Sequence, residues 1–134
     1  MKKYTSIIND TETQTNITLA TNNMVELCHG LAVESGWWND AKTESPDFIP
    51  AKLCLIHSEV SEAMEGARKN LMDDHLPHRK MVEVELADTI IRIMDLAGGL
   101  NLDLGGAIAE KLLYNTERED HKPVNRAKNN GKAF

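Results

Sequence analysis

The sequence predicts an all-α fold, a bundle of four helices, and three observations carry that expectation. Apolar residues recur at helical spacing in four segments. Aromatic residues make up only 4% of the chain, so aliphatic side chains must pack the core. Gly36, Pro50, Pro77, Gly98-Gly99 and Pro123 stand where the periodic segments end or begin. At 134 residues the chain is expected to be one domain, long enough for a real core but too short for two.

Residues 1–15 are polar and aperiodic and read as an N-terminal lead. From Ile17, the positions Ala20, Met24, Leu27, Cys28, Leu31 and Ala32 mark a first helix that Gly36 ends. A loop from Gly36 to Ile49 follows and holds both tryptophans, Trp37 and Trp38. Pro50 suits the first turn of a second helix, whose apolar stripe is Leu53, Ile56, Val60, Met64 and Ala67 and which stops near Asn70. After a polar connection, Pro77 opens a third helix running to Gly98-Gly99. That helix is apolar nearly all round except for one stripe of Glu85, Asp88, Arg92 and Asp95, so it is expected to be central, with the stripe facing something polar. Asn101 or Asp103 caps a fourth helix through Leu104, Ile108 and Leu112 that ends before Pro123. The helical domain thus spans residues 16–121. Residues 122–134 form a tail with four basic residues and no acidic one, expected to be irregular.

A formal charge of −6 argues against general nucleic-acid binding, which needs a basic footprint, and admits a phosphate ligand only where metal ions supply positive charge. Cys28 and Cys54 lie at apolar helical positions outside any C-x-x-C pair and read as reduced core thiols. Lys2 and Lys3 are followed by polar residues where a signal peptide needs its apolar run, and no stretch is long enough to span a bilayer. The expected location is cytoplasmic, with no membrane partner.

The chemistry concentrates in two acidic pairs, Glu59-x-x-Glu62 and Glu85-x-x-Asp88. Spacing of i, i+3 puts both carboxylates of a pair on one helix face about a turn apart. Leu53-Cys54-Leu55-Ile56 precedes the first pair and Ile90-Ile91-x-Ile93-Met94 follows the second, so both sit in apolar surroundings. Carboxylates crowded there repel one another and resist desolvation, and four converging on one place require a cation. An all-oxygen set points to Mg²⁺, with Mn²⁺ as a substitute, a hard ion that typically shares its shell with phosphates. The plainer alternative is a set of solvent-facing charges paired with Lys52, Arg68 or Arg92. Two pairs separated by 22 residues fit two antiparallel helices presenting ligands across one seam.

On the fourth helix Lys111, Asn115 and Arg118 share a face, and Lys and Arg there can hold phosphate oxygens. Taken alone, such a stripe is a wet helix surface; a short connection to the third helix makes the two antiparallel neighbours. Trp37 and Trp38 either close the core or stack on a nucleobase. His57 lies near Glu59, but imidazole is a poor Mg²⁺ ligand. Glu26-x-x-His29 has a spacing used in di-iron bundles, which need it twice; it occurs once.

The strings Glu59-Val-Ser-Glu62-Ala, Glu85-Leu-Ala-Asp88-Thr-Ile-Ile and Lys111-Leu-Leu-Tyr-Asn115-Thr-Glu-Arg118 together resemble the MazG-like branch of the all-α nucleoside triphosphate pyrophosphatases. That superfamily includes dimeric dUTPases, dCTP pyrophosphatases and phosphoribosyl-ATP pyrophosphohydrolases. Its pattern is E-x-x-E, then E-x-x-D, then K-x-x-x-N, matched here in order between roughly Gly36 and Arg118. Many members carry a further Glu before the first pair; here that place is Ser58, and members resembling dCTP pyrophosphatase lack it too. The resemblance implies Mg²⁺-dependent hydrolysis of a (deoxy)nucleoside triphosphate between the α and β phosphates, giving monophosphate and pyrophosphate, in nucleotide-pool cleansing. It assigns metal holding and catalysis to Glu59, Glu62, Glu85 and Asp88, phosphate contacts to Lys111, Asn115 and Arg118, and base contacts to Trp37 and Trp38. It also implies a homodimer or homotetramer with sites completed at subunit contacts. The competing expectations are a non-catalytic helical module whose acidic stripe binds a partner, and a phosphoribosyl-ATP pyrophosphohydrolase.

Overall fold

Helices make up the regular structure of the protein: α1 Tyr4–Ile8, α2 Thr11–Glu34, α3 Phe48–Lys69, α4 Met81–Gly99, α5 Leu104–Glu117 and α6 Pro123–Arg126, with one 3₁₀ turn at Glu119–His121. The computed structural model describes residues 3–132; Met1, Lys2, Ala133 and Phe134, at the ends of the lead and the tail, lie outside the described residues. No strand forms among the described residues, and a single isolated bridge joins Met72 to Lys80. The chain divides into two compact units, Met1–Asn23 with Asp103–Phe134, and Met24–Leu102.

In the unit Met24–Leu102, α3 and α4 make the most extensive contact. They run antiparallel: Gly66 packs against Met81, Glu59 pairs with Arg92, and Lys52 with Asp95, so positions fall on one helix as they rise on the other. A side chain at Gly66 would meet Met81 Cγ at 2.8 Å, so glycine there permits the close approach. The α3 face turned to this seam carries the buried residues Ile56, Glu59, Ala63 and Gly66. This splits the expected apolar stripe of the second helix, because Leu53, Val60 and Met64 lie off the seam and are exposed. Cys54 is also exposed while Cys28 is buried, so only Cys28 is a core thiol. On α4, Glu85, Thr89, Leu96 and Ala97 are buried, but Leu86, Ile90, Ile91 and Ile93 stay exposed. The helix expected to be buried nearly all round is therefore covered on part of its circumference.

The third helix begins later than Pro77. The buried Asp73 accepts the backbone N–H groups of His75 and Leu76 at 3.0 and 2.6 Å, and Asp73 N–H bonds to Arg79 O at 3.0 Å. This local turn chemistry holds residues 73–79 in a folded connection, and α4 starts at Met81 after Lys80 in extended conformation. Upstream, α3 ends on Asn70 in the left-handed region, φ 51° and ψ 47°.

In the other unit, the polar lead is helical over Tyr4–Ile8 and again from Thr11. Asp10 accepts from Thr13 N–H at 2.8 Å and from its hydroxyl at 2.9 Å, capping α2 six residues before Ile17, while Gln14 Nε2 donates to Ile8 O at 3.0 Å. Capping and local side-chain bonds, which apolar periodicity does not register, start this helix. Asp103 caps α5 as expected, accepting from Gly106 N–H at 2.9 Å, and Asn22 ties α2 to that cap through bonds to Asp103 and Gly105, both 2.8 Å. The tail is partly ordered too. Pro123 starts α6 at its first position, and Asp120 pairs with both Arg118 and Lys132.

Candidate metal centre

The seam between α3 and α4 brings Glu59, Glu85 and Asp88 together, each offering an oxygen within 4.8 Å of the others. Glu59 and Glu85 are buried among the aliphatic residues of the seam, and Asp88 is half-buried one turn after Glu85. Glu62, the fourth expected ligand, is exposed at the rim, yet close enough that its charge acts on Glu85.

The crowding favours protonation of Glu85 and Asp88. Burial first, then the charge of Glu62, a hydrogen bond with Glu59 and the charges of Glu59 and Asp88 push the Glu85 carboxyl up to about 7. Burial and the neighbouring Glu59 also raise Asp88, against the opposing pull of Arg92. Asp73, in the connection before α4, adds to the negative potential at Asp88. Among the described residues Arg92 answers this set, its Nε donating to Glu59 Oε1 at 2.7 Å. Of the three partners named by the solvent-facing alternative, Arg92 thus takes Glu59, while Lys52 pairs with Asp95 and Arg68 with Glu65. The Glu59 pair is not a surface one, since its carboxylate is only 9% exposed.

The donor set is oxygen only and keeps more negative charge than Arg92 neutralises. A hard divalent cation suits such a set, whereas a soft metal would want thiolate or imidazole.

Two turns further along α4, Asp95 is the hub of a second network. It accepts from Trp38 Nε1 at 2.8 Å and from His29 Nδ1 at 2.9 Å, and Lys52 Nζ stands 3.7 Å from its other oxygen. Because a carboxylate only accepts, Nδ1 of His29 carries the proton. Trp38 meets His29 edge-on at 4.8 Å between centroids, packs on Phe48 at 5.6 Å, and carries Lys52 Nζ 4.5 Å above its ring. The room for both rings comes from α4: a Cβ at Gly99 would overlap Trp38, and one at Gly98 would overlap His29. Trp37, by contrast, is 76% exposed. The two tryptophans therefore differ in setting, one fixed and one open. Asp95 closes the polar stripe that begins at Glu85, and spacing alone does not mark His29 or Trp38 as its partners.

Lys111, Asn115 and Arg118 belong to the other unit. Lys111 and Arg118 both approach the Tyr114 ring, at 4.7 and 6.0 Å, so they do share a face of α5 and its end. Arg118 donates through Nε and Nη2 to the two oxygens of Asp120, at 2.9 and 2.6 Å. Asn115 Oδ1 is buried without a hydrogen-bond partner among the described residues, an acceptor that a ligand donor or water would satisfy. His57 is exposed, and Glu26 is exposed while His29 turns to Asp95.

No helix among the described residues is long and apolar enough to cross a membrane. Compared with protein-family models, with curated proteins and with solved structures, the chain matches none.

Proposed function

We propose that this protein is a divalent-cation-dependent nucleoside triphosphate pyrophosphohydrolase of the MazG-like kind, acting in the cytoplasm to cleanse the nucleotide pool. The observation that carries the reading is the convergence of Glu59, Glu85 and Asp88 within 4.8 Å in the α3–α4 seam. Glu59, Glu85 and Asp88 would hold Mg²⁺ or Mn²⁺, with Glu62 completing the set from the rim. Such an ion neutralises phosphate charge and promotes attack of water on phosphorus. Lys111, Arg118 and Asn115 are the phosphate-contacting group in this reading, and Arg118 must exchange Asp120 for substrate to serve it. Trp38, held by Asp95, forms a fixed wall for a base, and Trp37 offers an open indole for stacking.

A homo-oligomer belongs to the same reading. Leu53, Val60 and Met64 on α3 and Leu86, Ile90 and Ile93 on α4 leave apolar surface exposed beside the seam, the kind of surface a second copy covers.

The deciding experiment is hydrolysis of a panel of canonical and modified nucleoside triphosphates in ¹⁸O-water with Mg²⁺. The label should enter the nucleoside monophosphate, with unlabelled pyrophosphate released. Orthophosphate with a diphosphate product would place attack at the γ position and refute the proposal. No turnover of any triphosphate, with a cation bound, would favour the non-catalytic helical module. Preference for phosphoribosyl-ATP over all nucleoside triphosphates would assign the other pyrophosphohydrolase.

A further inference from the structure

Arg92 sits where a cation bound between α3 and α4 would compete for Glu59. Its Nε donates to Glu59 Oε1 at 2.7 Å, and the two side chains have contrasting surroundings: Glu59 is 9% exposed and Arg92 45%. The anchored end of the guanidinium therefore faces the carboxylates while the group as a whole still reaches solvent. Arg92 follows Asp88 by one helical turn and lies on the stripe that carries Glu85 and Asp88, and its charge also acts on Asp88. A guanidinium has five N–H donors in a planar fork suited to carboxylate and to phosphate alike.

We propose that Arg92 is an exchangeable placeholder: without a divalent ion it compensates Glu59, and when one binds it leaves Glu59 and takes up an oxygen of the substrate's phosphates. The exchange rests on the pyrophosphohydrolase reading above. Its physical basis is charge. A divalent ion held by Glu59, Glu85 and Asp88 stands against a guanidinium bonded to the same carboxylate, and like charges so close repel. The bond to Glu59 weakens as the ion binds, and the only anions then arriving are those of the substrate. Arg92 turns from a rival of the metal into a partner of the phosphates, so removing it should shift the two affinities in opposite directions. A residue that merely braces Glu59 would move both the same way, because a disordered Glu59 holds metal, and hence substrate, less well.

The test uses the full chain at pH 8, with free Mn²⁺ followed by its electron paramagnetic resonance signal. Binding of a triphosphate analogue with a non-hydrolysable α–β bridge is then measured at saturating Mn²⁺. Arg92→Gln should bind Mn²⁺ about five- to tenfold more tightly than wild type in the absence of nucleotide, and the analogue about tenfold or more weakly. Arg92→Lys keeps the positive charge and a foldable seam but loses the fork; it should weaken analogue binding severalfold while leaving Mn²⁺ affinity between those of wild type and Arg92→Gln. Unchanged or weaker Mn²⁺ binding in Arg92→Gln, or in Arg92→Lys should the first variant not fold, overturns the exchange. So does unaltered analogue affinity. If wild type binds Mn²⁺ and releases pyrophosphate while the two affinities move together, the exchange alone is lost; if wild type binds no Mn²⁺, the exchange and the function it rests on fall together.

Discussion

The indole N–H of Trp38 reaches Asp95, 57 positions away, at 2.8 Å, across the surface that Gly99 leaves bare. Replacing Gly99 by alanine should force Trp38 off that surface, since its ring occupies the space of the new methyl group. Overpacking of this kind costs about 1 to 3 kcal/mol. The thermal midpoint should fall and the near-ultraviolet dichroism of the tryptophans should change. Trp38→Phe, which keeps an aromatic ring but loses the donor to a partly buried carboxylate, should destabilise by about 1.5 to 3 kcal/mol. An unaltered spectrum and midpoint in Gly99→Ala, with an unaltered midpoint in Trp38→Phe, would dissociate Trp38 from α4.

Stability without divalent ions should depend on pH through Glu85. With its carboxyl pushed up to about 7 in the folded protein and at the ordinary 4.5 when unfolded, the folded state holds the extra proton between these values. The contribution of Glu85 to stability is therefore fully present below about pH 4.5, declines as pH rises toward 7, and is lost above it. The loss attributable to this group is on the order of 2 to 3 kcal/mol. Urea unfolding in a chelator at pH 5 and at pH 8 measures it. Glu85→Gln should flatten the slope; an equal slope in that variant would locate the titration elsewhere.

The carboxylates should separate into two kinds when each is exchanged for its amide. Glu59→Gln, Glu85→Gln and Asp88→Asn should each lower cation-dependent pyrophosphate release, by on the order of a hundredfold or more. Their metal-free stabilities at pH 8 should diverge. Glu85→Gln relieves like-charge crowding and should raise the melting temperature, whereas Glu59→Gln strips Arg92 of its partner and should not. Three variants melting alike would mean that Arg92 does not distinguish Glu59 from its neighbours.

Sequence pattern discloses the long helices because each follows a run of apolar residues at helical spacing, and it discloses the carboxylate pairs because i, i+3 is a local relationship. It is silent on what depends on distant partners. Spacing offers Arg92 only as one of three candidate partners for the carboxylates and does not single out Glu59 for it; nor does it show that His29 and Trp38 would share Asp95, contacts spanning 66 and 57 positions. The early start of α2 was hidden for a different reason: Asp10 and the threonines that follow build it with polar bonds, where an apolar count finds little. Cys54 is exposed despite its apolar neighbours because an apolar position on a helix need not be on the face that packs.

The turn that Asp73 holds within the Asn70–Lys80 connection bears on how the chain reaches its native state. Helices that follow one another in the chain across a locally folded connection meet after little loop closure, so the α3–α4 hairpin is suited to form early. The acidic seam is then assembled on the way to the native state, and electrostatic repulsion enters the activation barrier as well as the final balance. In stopped-flow refolding, millimolar Mg²⁺ should speed the folding limb as well as slow unfolding. An effect confined to unfolding would mean that the seam closes only after the barrier has been crossed.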